Sequence, residues 1–154
     1  NIPDTVTSIG EGAFSACHSL TNINIPNGIK IISENAFAMS GLTSVTIPES
    51  VNWIAPNAFS HCRNLTSVTI SGSGNTSIDS MVFYRCENLT SVTWGKGVVE
   101  IEKSTFSGCK SIESINYGGT KEQWDAVVKP ERWEYSFGDY VIHCTDGDII
   151  KSND

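Results

Sequence analysis

The sequence predicts an α/β repeat solenoid, in which short supersecondary units stack along one axis. Three observations support this prediction. A segment recurs with a period of about 23 residues, a spacing typical of stacked repeats. A phenylalanine returns once in every copy, and a proline, glycine or serine follows nearly every apolar run. Repeats of this kind bury a continuous core between neighbours and expose extended lateral surfaces, so the architecture favours binding over catalysis.

Alignment on the recurring phenylalanines divides residues 1–117 into five repeats and leaves residues 118–154 as a separate segment. The repeats are predicted at 2–24, 25–46, 47–69, 70–93 and 94–116. The second repeat lacks one residue before Leu42, and the fourth carries one extra residue within 71–74. The segment after the repeats is more acidic than they are, which marks it as chemically distinct.

Three apolar columns end each repeat and predict one short strand per repeat. They are Leu20, Leu42, Leu65, Leu89 and Ile112; Ile23, Val45, Val68, Val92 and Ile115; and Ile25, Ile47, Ile70, Trp94 and Tyr117. The alternating pair at the end indicates a half-buried strand, and strands of successive repeats should pair in parallel. A turn former follows nearly every strand, and where it is proline the missing N–H ends the pairing.

The remainder of each repeat returns the chain to the start of the next strand. It passes through a second apolar column, Ile9, Ile32, Ile54, Ile78 and Ile101, to a small residue followed by the phenylalanine. We expect a short helical turn at this phenylalanine, with every ring nearly fully buried in its coil. The prediction is therefore a short parallel sheet on one face and helical turns on the other.

These columns resemble the BspA-type leucine-rich repeat, whose motif is A-F-x-x-C-x-x-L-x-x-I-x-I-P-x-x-V-x-x-I. The resemblance covers residues 2–117 and extends to Tyr117-Gly118-Gly119-Thr120, Gln123-Trp124 and 141–147 near the end of the chain. Ser40 and Trp94 depart from the motif. The resemblance implies a right-handed stack and an exported bacterial surface protein, often with further domains, associated with adhesion to host proteins or other cells.

The segment 118–154 is predicted to form an α+β cap over the last repeat. Thr120 and Gln123 have the spacing of a capping box, which predicts a helix from there through Val128. Trp133, Tyr135, Phe137 and Tyr140 then supply bulky side chains to cover the final coil. A turn at 145–148 between two apolar stretches predicts a closing hairpin.

Four cysteines occupy one column, three residues after a phenylalanine: Cys17, Cys62, Cys86 and Cys109. We interpret them as free thiols that pack as small apolar side chains inside the coils. Disulfides between neighbouring coils are an alternative, although three consecutive cysteines cannot all pair. A zinc site is a weaker alternative, because a linear row cannot surround an ion tetrahedrally.

Composition and motifs argue against several functions. The net charge of −7 disfavours nucleic acid, which requires a basic face, and no apolar run approaches the roughly 18 residues of a membrane span. His18 and His61 lie beside column cysteines, but neighbouring side chains there should point in opposite directions, which separates any catalytic pair. We expect no enzyme activity, no cofactor and no metal.

The candidate binding surface has two parts. The first is the outward side of the strands, which is rich in hydroxyls and nearly uncharged: Thr43, Ser44, Thr46, Thr66, Ser67, Thr69, Thr90, Ser91 and Thr93. Such rows also stabilise a sheet without any ligand. The second is Ile31 beside Trp53, an apolar spot in a column that should face solvent. A protein or glycan, including one supplied by a host, would be the ligand.

Together with this resemblance, the sequence favours a non-catalytic extracellular interaction or adhesion module of a bacterial cell-surface protein. The alternative is a structural spacer in a larger protein whose activity lies elsewhere. The chain opens inside a repeat, at Ile2-Pro3. We therefore expect further repeats or a cap before it, and end-to-end self-association of the isolated chain through the open first coil.

Overall fold

The computed structural model describes residues 2–72, 76–131 and 133–152. These residues form a β-solenoid of about 5 turns with parallel sheets. The elements are β1 (Ile31–Ile32), β2 (Ser44–Ile47), β3 (Trp53–Ile54), β4 (Ser67–Ile70), β5 (Thr76–Ile78), β6 (Ser91–Trp94), β7 (Val98–Ile101), β8 (Ser114–Tyr117), α1 (Lys121–Ala126), β9 (Tyr140–Cys144) and β10 (Gly147–Lys151). Part of the extra stretch in the fourth repeat, residues 73–75, lies outside the described residues.

The predicted sheet is present and runs in the order β10-β9-β8-β6-β4-β2. Its repeat strands pair in parallel without a register shift, so that Val45 lies beside Val68 and Val68 beside Val92. In each strand the valine is buried, while the residues immediately before and after it face outward. The alternation seen in the sequence therefore fixes both the strand and its inward face.

A second parallel sheet, in the order β1-β3-β5-β7, forms where the sequence analysis placed only a return segment. Each of its strands ends at a residue of the isoleucine column, and Ile32, Ile54 and Ile78 lie side by side with their side chains buried. The segments are only two to four residues long. Such short runs give little strand signal until neighbouring coils supply their hydrogen-bond partners.

The expected helical turns at the phenylalanines are turns without helix, and the prediction is wrong in this respect. Alternate N–H groups bond to the next coil instead of within their own: Phe37 donates to Ala58 at 2.8 Å and Met39 to Ser60 at 2.8 Å. Residues in two columns adopt the left-handed backbone conformation, which directs those N–H groups along the axis. Examples are Asn35 at φ 55° and Met39 at φ 57°. An α-helix would turn the same donors back into their own coil.

The core is a stack of phenylalanine rings along the axis. Neighbouring rings from Phe14 to Phe106 are stacked, with centroids 5.1–5.6 Å apart. Phe37, Phe59, Phe83 and Phe106 are buried as predicted. Phe14 is only half-buried, contrary to prediction, because this first ring has a neighbour on one side alone within the structure.

The first coil also lacks the predicted strand within residues 20–25. One backbone bond joins residues 21–24 to the second coil, from Thr43 N–H to the Thr21 carbonyl at 3.0 Å. A single bond is too few for a ladder. An isolated parallel bridge of Ile9 with Ile32 joins the first coil to the edge of the second sheet.

Helix α1 begins at the predicted capping box, with Thr120 accepting from the Gln123 N–H and Gln123 accepting from the Thr120 N–H. It ends at Ala126 rather than at Val128. Val128 is extended onto the edge of the second sheet, where its N–H bonds to the Val99 carbonyl at 3.0 Å. This pairing leaves its side chain 59% exposed rather than on the inner face of a helix.

The segment after the repeats bonds to the last coil at both sheets and at the turn that contains Gly108. Strand β9 adds in parallel to β8, Val128 extends the second sheet, and the Ser136 hydroxyl accepts from the Gly108 N–H at 2.8 Å. Trp124 stacks on Trp94 with a centroid distance of 5.4 Å. Phe137 and Tyr140 are buried as expected, whereas Tyr135 is 76% exposed and does not cover the coil.

Candidate interaction surfaces

The predicted hydroxyl residues lie on the outward side of the six-stranded sheet. Serines and threonines of β2, β4 and β6 form two straight rows, because the strands pair without a shift. The rows, which we call the hydroxyl lattice, are Ser44, Ser67 and Ser91, and Thr46, Thr69 and Thr93. Ser114 and Asn116 of β8 continue them. The structure thus brings these uncharged side chains of three repeats together on one side of the sheet, and the rows extend to a fourth repeat.

The other three threonines have a different role. The Thr43 hydroxyl donates to the Thr21 carbonyl at 3.2 Å, the Thr66 hydroxyl to the Thr43 carbonyl at 3.0 Å, and the Thr90 hydroxyl to the Thr66 carbonyl at 3.0 Å. Each donor is therefore used to join one coil to the coil before it. These side chains stabilise the stack and have no free donor for a ligand.

Ile31 and Trp53 are neighbours on the outward side of the second sheet, as the sequence predicts. They are 38% and 40% exposed, and Ser77 and Glu100 follow in the same row. The Trp53 indole N–H donates to the Asp79 carboxylate at 3.3 Å, which fixes the ring on the surface. Because this row and the hydroxyl lattice belong to different sheets, the predicted surface is divided into two.

The cysteines of the interior are free thiols and form no disulfide in the part of the chain that the structure describes. The thiols of Cys62, Cys86 and Cys109 each donate to the carbonyl of the phenylalanine one coil earlier, at 3.1–3.2 Å. Burial raises the pKa of Cys62, and it raises the pKa of Cys86 well above its ordinary value. Such thiols stay protonated and unreactive.

Cys17 was expected in the same interior column but is exposed. The reason is geometric: the thiols of the third, fourth and fifth coils each bond to a carbonyl of the preceding coil, and the structure contains no coil before Cys17. His61 and Cys62 diverge as expected. The imidazole of His61 packs edge-on against Tyr84 with centroids 5.3 Å apart, while the Cys62 thiol is inside the core.

Metal-binding clusters of three or more histidine, cysteine or acidic side chains are absent from residues 2–72, 76–131 and 133–152. An exposed pair, His143 and Asp148, is joined at 2.9 Å across the hairpin of β9 and β10. The Asp146 carboxylate accepts from the Lys121 N–H, which agrees with a structural turn. In the described part of the chain, no helix is long and apolar enough to cross a membrane.

Surface grooves of the solenoid were not predicted from the sequence. One groove adjoins the hydroxyl lattice and is lined by residues that include Asn22, Asn24, Ser44 and Thr46. Another, of about 360 Å³, lies between the first three coils and contains His18, His61 and Arg63. The missing residue of the second repeat marks this second groove in the sequence.

The comparisons with known proteins concern the repeats. The family model for the BspA type leucine rich repeat region matches residues 1–113 in 6 copies. A leucine rich cell surface protein from Faecalibacterium prausnitzii is similar in structure, with 19% identity, a TM-score of 0.44, and coverage of 84% of this chain and 62% of that one. A leucine-rich repeat protein from Bacteroides ovatus gives 24% identity, a TM-score of 0.34, and coverage of 78% and 49%.

The chain therefore spans less than two thirds of either of these proteins. No curated protein matches it. The family model, in contrast, covers well over half of the chain, within the part that forms the coils. On that evidence, this chain belongs to the BspA-type leucine-rich repeat family.

Proposed function

We propose that this chain is a non-catalytic interaction or adhesion module of a bacterial cell-surface protein, displayed outside the cell. Residues 2–116 act as five repeats, and residues 118–154 act as the α+β segment that closes them. The bonds from this segment to the two sheets and to Gly108 support its role as a cap. A protein or glycan, including one from a host, is the proposed ligand.

The observation that carries this proposal is the hydroxyl lattice. Six side chains from three coils are held in two straight rows by the parallel register, with no charge among them. Within the described part of the chain, none of the six hydroxyls makes a side-chain hydrogen bond, unlike those of Thr43, Thr66 and Thr90. A rigid surface with unused donors and acceptors suits binding of a protein or glycan backbone.

A specific observation favours the structural alternative, a spacer without its own ligand. Three of the nine predicted hydroxyl residues bond to the preceding coil, so they are explained by the stack alone. On this alternative the remaining rows are outward residues that favour strand structure, and binding lies in another part of the protein.

A binding screen distinguishes the two functions. The purified chain is tested against mucins, matrix proteins and glycans, in parallel with Ser67→Arg/Thr69→Arg, which alters the centre of the hydroxyl lattice, and with Trp53→Ala. Thr145→Arg is the control, because Thr145 is exposed in the turn between β9 and β10, outside both candidate surfaces. Specific binding lost in one of the first two variants and kept in the control supports the module. Absence of specific binding in the whole screen supports the spacer.

A further inference from the structure

The second coil is shorter than its neighbours at one corner of the solenoid. In the other coils two residues separate the cysteine column from the following Leu or Ile, as in His18-Ser19 and Arg63-Asn64; in the second coil only Gly41 does so. The two residues form a tight turn, in which the N–H of Leu20 or Leu65 bonds to the cysteine carbonyl three residues earlier. The second coil lacks the residue needed for that turn.

The shortened chain is drawn against the first coil. The Gly41 N–H bonds to the Cys17 carbonyl at 3.1 Å, and a Cβ on Gly41 would lie 1.9 Å from the His18 carbonyl oxygen. A depression remains where the turn would have been. We call this groove of about 360 Å³ the notch; it is lined by residues that include His18, Met39, Gly41, His61, Arg63 and Asn64.

The notch is cationic in an acidic protein. No carboxylate is among its described lining residues, although the whole chain has a net charge of −7. Arg63 makes no ion pair within residues 2–72, 76–131 and 133–152. Two coils further on, Lys110 occupies the column of Arg63, but there Glu87 lines the same groove as Lys110 and supplies the negative charge.

We propose that the notch binds a carboxylate side chain from an acidic segment of a partner protein. The Arg63 guanidinium is the principal contact, since its planar fork matches a carboxylate, and the Asn64 amide and the imidazoles add donors. The volume is near the lower limit of about 300 Å³ for small-molecule pockets, which suits one side chain. Met39, 46% exposed, offers apolar surface to the residue beside it.

This proposal rests on the proposed interaction function and names a partner chemistry for it. The test is an amide and histidine-ring NMR titration of the ¹⁵N,¹³C-labelled chain with a blocked hexapeptide that contains two glutamates. The matched peptide carries glutamine in their place. We expect the glutamate peptide to shift signals of His18, Gly41, His61, Arg63 and Asn64, and the glutamine peptide to leave them unchanged.

Arg63→Gln is the test variant and Lys110→Gln is its control, because both remove one exposed cation from the same column. Loss of a charge-assisted contact should weaken binding about tenfold or more in the first, with a change below about twofold in the second. Equal weakening in both would overturn the proposal, since it would indicate attraction by net charge alone. Absence of shifts at the notch would also overturn it.

Two further ligands test the source of the carboxylate. Shifts of the same signals by sialyllactose but not by the glutamate peptide would overturn the assignment to a protein partner, as would equal affinity for acetate. These results are separate from the screen of the hydroxyl lattice. Failure at the notch with retained binding at the lattice removes this inference alone, while failure of both removes the interaction function.

Discussion

Single residues in this solenoid act through their counterparts one coil away. The Phe59 ring lies between those of Phe37 and Phe83, with centroids 5.1 and 5.6 Å away. The Cys86 thiol bonds to the Phe59 carbonyl at 3.2 Å. A substitution in an interior column therefore changes three coils at once. The same residue type in the first coil has fewer contacts, as half-buried Phe14 and exposed Cys17 show.

Phe59→Ala should lower the free energy of unfolding by about 3–5 kcal/mol, because it leaves a cavity in a closely packed stack. Phe14→Ala, the matched control, should cost distinctly less, since that ring is only half-buried. Urea denaturation followed by circular dichroism measures both. A loss below about 1 kcal/mol for Phe59→Ala, the range of surface sites, would contradict the packing described here.

Stability should fall at alkaline pH because of the buried thiols. Burial raises the pKa of Cys62 and Cys86 above that of an unfolded thiol, about 8.5. The native chain therefore holds protons that the unfolded chain releases. The contribution is complete below about pH 8.5 and is lost as the pH rises above that value. Urea denaturation at pH 7.5 and 9.5, with reducing agent present, should show the decrease.

In Cys86→Ser, the decrease in the free energy of unfolding between pH 7.5 and 9.5 should be smaller by about 1 kcal/mol. Serine is a suitable replacement, since Ser40 stands in the same column and is buried. Cys17→Ser, which removes an exposed thiol, is the matched control for the loss of one cysteine. An unchanged pH dependence in Cys86→Ser would show that this thiol is not responsible.

At the scale of elements, hydrogen bonds between coils take the place of bonds within helices. The turns at the phenylalanines direct alternate N–H groups along the axis, which requires left-handed residues such as Met81 at φ 58° and His61 at φ 58°. A non-glycine residue in this conformation carries a cost of about 1–2 kcal/mol. The ladder between coils compensates for that cost at each turn.

Met81→Gly should raise the free energy of unfolding by about 0.5–1 kcal/mol. Glycine is unstrained in the left-handed region, and this gain exceeds its entropic cost of about 0.5–1 kcal/mol. The Met81 side chain is exposed and loses little packing. Glu87 is exposed and is not among the residues with a positive φ, so Glu87→Gly should instead be destabilising. A loss of stability in both variants would contradict a conformational cost at Met81.

At the scale of the whole molecule, the two ends of the stack are built differently. The last coil bonds to β9, Val128 and Ser136 and is covered by Trp124. The first coil leaves an apolar groove lined by residues that include Ile2, Val6 and Phe14. Local opening should therefore be easiest in the first coil of the isolated chain.

Hydrogen exchange along the chain tests this asymmetry. Amides of residues 2–25 should exchange fastest among the repeats, because few of them lie in ladders or a closed core. If the open coils of two chains stack, this exchange should slow as the protein concentration rises. Equal protection of all coils in a dilute monomer would show that the first coil is closed without a partner.

The sequence by itself determined the period, the β2, β4, β6 and β8 strands, and the interior columns. Each depends on residue type at fixed spacing: alternation makes a strand half-buried, and recurrence of Phe59 and its counterparts makes a continuous core. It also determined the capping box at Thr120, because that motif is local. The rows of the hydroxyl lattice followed from the same alternation.

Only the tertiary structure decided what depends on the neighbouring coil. The second sheet and the turns in place of helices arise because N–H groups of one coil, such as that of Phe37, find carbonyls in the next. The exposure of Cys17 and the hydrogen bond from the Thr66 hydroxyl to the Thr43 carbonyl also depend on the presence or absence of a preceding coil. Identifying the notch required both the sequence and the tertiary structure. The sequence shows the missing residue, and the stacking of coils places His18 and Arg63 around the gap.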